Sequence, residues 1–359
     1  MNPVIAEISK SALRHNVSVV RRLAPNTKIL AMIKANGYGH DAIKVAQCLA
    51  ADVDAFGVAR INEALELSKA GIQAQIVLME GCFSQAELEL AAQQNYQIVI
   101  QNQVQLDVLL TSNLPNKIKI WIKIDTGMHR VGFSPEQLDS IFNHLEQSNN
   151  VDPDITTLTH FAHADNKAKK ENIQQFNLFQ QQTKLLACQR SMANSAAIMT
   201  NDAAHFDWVR PGIMLYGSSP VTNSVASDYD LKPVMTLKSK VIALNAIKQG
   251  DAVGYGGIWQ AKQDTNIAVV AMGYGDGYPR HAENGTPVLI NGKMYPLVGR
   301  VSMDMITVDV GNDNEVSLWD TVTLWGEGLP AEIVAEHAET ISYELFCNIA
   351  NRVKKEFIE

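Results

Sequence analysis

A chain of 359 residues is long for one ordinary core, so a large barrel plus a second domain is the first expectation. A hydrophobic fraction of 46% with 7% aromatics fits a globular protein, and no apolar run is long enough to span a bilayer, which excludes a membrane-spanning helix. The net charge of −8 argues against a nucleic-acid partner.

The N-terminal MNPVIAEISK lacks the basic-then-apolar pattern of a secretory signal. Residues 9–23, SKSALRHNVSVVRRL, read as a helix with Ser9 or Ser11 near its cap. From residue 28 to about 212, short apolar runs alternate with amphipathic stretches. The runs are KILAMI (28–33), DAFGVA (54–59), AQIVLM (74–79), YQIVIQ (96–101), KIKIWIKID (117–125), ITTLTHF (155–161), a weak one around Cys188–Ala193, and HFDWVR (205–210). Helical patterns such as INEALELSKAG and SQAELELAAQQ lie between them. Eight such alternations predict an α/β fold, a parallel (β/α)8 barrel of the TIM type over residues 9–231. The character changes at Leu231-Lys232-Pro233. Short alternating runs such as VMTLKSKVIAL and DMITVDV, with turn pairs such as Asn291-Gly292, predict a mostly-β domain over 232–359, which residues 1–8 could join. Its tail from about Ala331 reads as helical. The four cysteines, Cys48, Cys82, Cys188 and Cys347, form no C-x-x-C pair. They read as small buried hydrophobes in a reducing, cytoplasmic compartment, with no metal site.

The chemistry concentrates where the first run ends. Lys34 stands between a buried strand and the Gly37-Tyr38-Gly39 turn, where lost hydration would lower its pKa and free the amine for a Schiff base. Functional groups of such barrels come from the C-terminal strand ends. Those positions hold Lys34, Arg130, His160, Asn194, Ser195, Arg210, Gly212 and Ile213. Ser195, the Gly212-Ile213 backbone and the Tyr38 phenol supply the parts of a phosphate cradle facing a lysine, which suggests pyridoxal 5′-phosphate. Taken singly, each residue has a plainer reading: surface ion pairs for the arginines, a hydrogen-bonded core histidine for His160, strand packing for Tyr255 and Tyr274.

The blocks AMIKANGYGH (31–40), KIDTGMHRVGF (123–133), THFAHAD (159–165), ANSAA (193–197), VRPGIMLYG (209–217), VGYGG (253–257), GYGDGY (273–278), GRVSMD (299–304) and TISYE (340–344) together resemble the alanine racemase family, fold-type III pyridoxal-phosphate enzymes. The resemblance implies a barrel with a C-terminal β-domain and an isomerase that interconverts L- and D-alanine. It implies Lys34 as the cofactor lysine and one catalytic base. By the same resemblance, Tyr255, from the partner subunit of a homodimer, would be the base on the opposite face. Arg210 would face the pyridine nitrogen, supported by His160. Arg130 and the Met303 backbone would hold the substrate carboxylate. Tyr38, Ser195, Gly212, Ile213 and Tyr343 would hold the phosphate, and Tyr274 and Tyr343 would narrow the way into the site. Ser302 departs from the family pattern, where some members have cysteine. D-Alanine supply for peptidoglycan precursors and D-alanine breakdown both stay open.

Removing a proton from one face of Cα and returning it to the other calls for two bases on opposite sides. A tyrosine with an ordinary pKa near 10 needs cationic neighbours to serve near neutrality, and Arg130, Arg210 and His160 would supply them. Guanidinium is effectively always charged, so Arg210 would leave the ring nitrogen unprotonated. That residue also argues against a basic amino-acid decarboxylase of the same fold, which gains from an acidic partner there. A broader-specificity racemase stays compatible with these blocks. A non-catalytic pyridoxal-phosphate carrier is disfavoured, since it would have no use for Tyr255. In KIKIWIKID the isoleucines alternate with Lys119, Trp121 and Lys123, which turns Lys123 into the barrel; some relatives carry a carbamylated lysine, and the expectation is the same here, paired with Arg130.

Overall fold

The structure, a computed structural model, describes residues 3–312 and 315–359. Strand β1 (Ile5–Ser9) leads into the helix Lys10–Leu23, and the Ser9 hydroxyl caps it by accepting the Ala12 amide at 3.1 Å. The next eight strands are β2 (Lys28–Met32), β3 (Ala55–Val58), β4 (Ile76–Leu78), β5 (Gln97–Ile100), β6 (Ile120–Lys123), β7 (Thr156–Leu158), β8 (Gln189–Asn194) and β9 (Trp208–Arg210). All pair in parallel with their sequence neighbours, and β2 pairs with β9 to close the barrel. The weakly patterned seventh run forms β8 because Gln189–Asn194 is held from both sides, by β7 and β9.

The barrel strands also carry polar side chains, among them the buried Gln97, Lys123 and Thr156. Ile118, Ile120, Ile122 and Ile124 are all buried. On the alternate face, Lys119 pairs with Asp154 at 2.8 Å, the Trp121 indole donates to Gln97 at 2.7 Å, and Trp121 meets Trp208 edge-on at 5.3 Å. The buried Trp121 indole thereby finds an acceptor, whereas the Lys119–Asp154 pair stays part-exposed.

The second domain is built on β10 (Met235–Ile247). Further strands follow as β11 (Ala252–Val253), β12 (Trp259–Gln260), β13 (Thr265–Val270), β14 (Pro287–Ile290), β15 (Lys293–Pro296), β16 (Ile306–Gly311) and β17 (Thr321–Trp325). β10 pairs antiparallel with β1, β13 and β17. The expected helical tail is interrupted. Two short helices, Ala331–His337 and Ser342–Cys347, precede a last strand, β18 (Lys354–Ile358), which runs parallel to β1. The free edge of β1 offers backbone partners that a helix there would leave unused. Asn16, fully buried, ties the two domains: its amide donates to Leu215 O at 3.0 Å and Lys232 O at 2.9 Å, and its oxygen accepts the Lys232 amide at 2.8 Å.

Candidate active site

After β2 the chain makes a left-handed turn rather than passing straight into a helix. Ala35, Asn36, Gly37, Tyr38 and Gly39 all have positive φ, between 51° and 79°. For residues with a Cβ this conformation costs about 1–2 kcal/mol each, so neighbours must hold it. The Asn36 side chain accepts the Ala42 amide at 2.9 Å, the Ala35 amide donates to Glu63 at 2.7 Å, and His40 Nδ1 lies 2.8 Å from the Tyr38 carbonyl. Burial pushes the His40 pKa down to about 4, so the ring is neutral and Nδ1–H is the donor. Gly39 allows the backbone of Phe346 to pass: a Cβ there would lie 2.0 Å from the Phe346 carbonyl oxygen.

The turn delivers Tyr38 into a cavity of about 670 Å³ at the C-terminal mouth of the barrel. Its walls bring together Lys34, Tyr38, Lys123, Arg130, His160, Asn194, Ser195, Arg210, Gly212, Ile213 and Tyr343. One expectation fails. Lys34 is exposed, because the cavity beside it is open in the single chain and strand burial ends at Ile33.

One side of the cavity is a cradle of phenols, a hydroxyl and amides. Tyr38 stacks on Tyr216 with ring centroids 4.9 Å apart and tilts against Tyr343 at 5.9 Å; burial raises the pKa of Tyr38 and of Tyr343, so both are neutral donors. Ser195 Oγ accepts the Gly212 amide at 2.8 Å. A Cβ on Gly212 would lie 2.5 Å from the Tyr38 hydroxyl, so only glycine lets the phenol approach the backbone this closely.

Opposite the cradle stands a buried cation. Arg210 is 3% exposed and donates to Ser191 Oγ and Thr159 O, each at 2.7 Å, to Met192 O at 3.3 Å and to His160 Nδ1 at 3.2 Å. A guanidinium only donates, so His160 Nδ1 must be the acceptor and the imidazole proton sits on Nε2. Burial, then the charges of Arg210, Lys123, Arg130 and Lys34, hold the His160 pKa well below its ordinary value, consistent with that neutral tautomer. Lys123 faces the same two arginines from β6; burial first, then Arg210 and Arg130, bring its pKa down to about 7.

Tyr255, Tyr274 and Met303 lie elsewhere. They are 69%, 40% and 54% exposed on the β-domain and do not line this cavity. Their loops are knitted together: the Tyr274 amide donates to Ser302 O at 3.0 Å, the Gly275 amide to Met303 O at 2.8 Å, and Val253 abuts Gly299. Arg352 clamps the group through Asp276 at 2.6 Å and Asp304 at 2.8 Å. A wider hollow of about 980 Å³ opens beside the cavity, sharing His160, Asn194 and Tyr343 and lined with Asp165, Glu332 and Glu336. No group of three or more His, Cys, Asp or Glu side chains suited to a metal occurs among the described residues.

Two family models cover almost the whole chain: the alanine racemase N-terminal domain matches residues 8–220 and the alanine racemase C-terminal domain residues 234–357. The chain belongs to the alanine racemase family. It is 48% identical over 358 residues to an alanine racemase of Aeromonas hydrophila, covering 100% of both chains. Among solved structures it superposes with a TM-score of 0.97 on the biosynthetic alanine racemase of Pseudomonas aeruginosa, at 42% identity and with 100% of each chain covered. It also matches, at TM-score 0.90 and 30% identity over 100% of each chain, an alanine racemase of Bartonella henselae with covalently bound pyridoxal phosphate. As a family member the chain is an isomerase acting on alanine, and neither a decarboxylase nor a non-catalytic carrier fits it any longer.

Around the cavity of this alanine racemase family member, several residues carry no mark in the sequence. Ser191, which orients Arg210, sits in the weakest strand pattern of the barrel. Tyr216, whose hydroxyl donates to Met32 O at 3.0 Å beneath Tyr38, follows strand β9 in a block where the glycine draws attention instead. The cysteines do not all behave as small core residues: Cys82 is buried, Cys48 and Cys188 are half-buried, and Cys347 is exposed at the cavity wall because its helix lies across the barrel mouth. No helix among the described residues is long and apolar enough to cross a membrane.

Proposed function

We propose that the chain racemises alanine with pyridoxal 5′-phosphate held at Lys34, in a site completed by a second copy of the chain. The residues present suit the cofactor: a Cβ on Gly212 would meet the Tyr38 hydroxyl at 2.5 Å, and the cavity wall that also holds Ser195, Ile213 and Tyr343 has the donors a phosphate needs. When bound through Lys34, the group supplies an electron sink for the Cα carbanion. The Bartonella relative with covalently bound pyridoxal phosphate supports a covalently held cofactor here.

Arg210 would face the pyridine nitrogen as a fixed donor that does not surrender its proton. Although burial lowers its pKa to about 10, it stays charged at neutral pH. Arg130 and the Met303 backbone would hold the substrate carboxylate. Lys34 Nζ would exchange the Cα proton on one face and the Tyr255 hydroxyl on the other, with His160 supporting that phenol. Tyr274 and Tyr343 would narrow access and exclude water. The observation that carries this reading is the division of parts: the cavity gathers every barrel residue expected, whereas Tyr255, Tyr274 and Met303 stand exposed outside it. A two-fold homodimer in which each β-domain faces the other barrel would join them. Four free cysteines favour a cytoplasmic setting.

Borohydride reduction of the yellow holoenzyme should fix the cofactor on the peptide containing Lys34. Recovery on another lysine, or on none, would sink the assignment.

Lys123 gives a second expectation. With its pKa near 7, a large share of the amine is neutral and nucleophilic at physiological pH. Attack on carbon dioxide forms a C–N bond and releases one proton, giving a carbamate anion between Arg130 and Arg210. The reaction should fade below about pH 7, where the amine is protonated. A high-resolution map from bicarbonate buffer should reveal the carbamate; a bare amine under those conditions refutes it.

A further inference from the structure

Glu63, Glu87 and Gln105 occupy the third position of three successive barrel helices, Ile61–Lys69, Gln85–Gln93 and Gln103–Thr111. Each accepts the backbone N–H four residues before it: Ala59 at 2.6 Å, Phe83 at 2.7 Å and Gln101 at 3.0 Å. That much is helix capping. The side chains differ in what else they meet. Gln105 faces carbonyls of the preceding loop, and its Nε2 donates to Glu80 O at 2.9 Å and Cys82 O at 3.2 Å. Glu63 faces a donor instead: its Oε1 accepts the Ala35 amide at 2.7 Å while Oε2 serves Ala59. An amide could accept only one of those two N–H groups and would set its own NH2 against the other. The carboxylate is therefore demanded by the neighbouring loop and not by the helix it caps.

The Ala35 amide opens the left-handed turn and directly follows Lys34. We infer that Glu63 is a positioning residue for the reaction: by holding the Ala35 N–H it locks the turn, and with it the line along which the Lys34 amine meets cofactor and substrate. Glu63 does not itself line the cavity and acts only through this backbone bond. The inference rests on Lys34 being the cofactor lysine.

The test compares Glu63→Gln with Glu87→Gln, a control at the same helix position whose amide oxygen can still accept Phe83 N. Each is studied as holoenzyme and, after removal of the cofactor, titrated with pyridoxal 5′-phosphate. Glu63→Gln should raise the cofactor dissociation constant about tenfold, shift the pH midpoint of the visible absorption band by about half a unit or more, and lower kcat for alanine more than it changes KM. Glu87→Gln should match the wild type in each. A Glu63→Gln enzyme with wild-type dissociation constant and midpoint overturns the inference, even if its melting temperature falls, since that would mark a helix cap alone. Should Glu63→Gln fail to fold, Glu63→Asp, one methylene short, is read the same way. If neither folds while Glu87→Gln does, the role is folding and the inference fails. Borohydride labelling of the wild type separates the two readings: a label away from Lys34 sinks the cofactor assignment, while Lys34 labelling with a wild-type-like Glu63→Gln sinks only the role of Glu63.

Discussion

Chains carrying Lys34→Ala and chains carrying Tyr255→Phe, each inactive alone, should regain about a quarter of wild-type activity per chain when co-expressed in equal amounts. Random pairing makes half of the dimers mixed. With the proposed shared site, a mixed dimer would hold one doubly defective site and one intact site, the intact barrel of one copy meeting the intact β-domain of the other. The geometry behind this is the 69% exposure of Tyr255, which does not line its own barrel's cavity. If Tyr255 served its own barrel, no mixture could contain a whole site. Mixed dimers identified by two different tags and no more active than either parent would end the shared-site reading.

Arg210→Ala should be costly twice over. Ser191 Oγ, Thr159 O, Met192 O and His160 Nδ1 would all lose their donor inside the barrel. A buried polar group left unpaired costs about 1–3 kcal/mol, and relief from burying a cation without a carboxylate partner returns part of the sum. A net loss of roughly 3 kcal/mol is expected, read as a lower midpoint in urea unfolding of the cofactor-free protein. Turnover should fall about a hundredfold or more, since His160 loses its tautomer lock and the cofactor its fixed cation. An unchanged unfolding midpoint would contradict the buried network, and unchanged kcat would contradict the place given to Arg210.

The parts of the site that can be read in the sequence are those whose residue type is itself unusual for its position. A lysine between an apolar run and two glycines, arginines at strand ends, and a tyrosine in a Gly-rich turn stand out from the background chemistry of a barrel. Glu63 and Ser191 do not, because glutamate in a first helical turn and serine in a strand are ordinary there. Their roles come from what the neighbouring segment presents, an N–H at Ala35 or a guanidinium at Arg210. The left-handed turn is hidden for a related reason: Gly37 and Gly39 announce a turn, but Ala35 and Tyr38 give no hint of positive φ. The final strand is equally silent, because KKEFI pairs only by virtue of the free edge of β1, more than three hundred residues earlier in the chain.

What the sequence by itself determined was the alternation that closes the barrel, the change to β-structure after Pro233, and the residue types that the barrel gathers at its cavity. Periodicity and residue chemistry are local properties, and they survive without a partner. Only the tertiary structure decided that His160 is held neutral by a donor it cannot reverse, that Lys123 is buried within the field of two arginines, and that Lys34 stands open to solvent while Tyr255 stands outside the cavity. Burial, hydrogen-bond direction and the distance between charges belong to segments brought together from far along the chain, and those contacts set which proton each group holds.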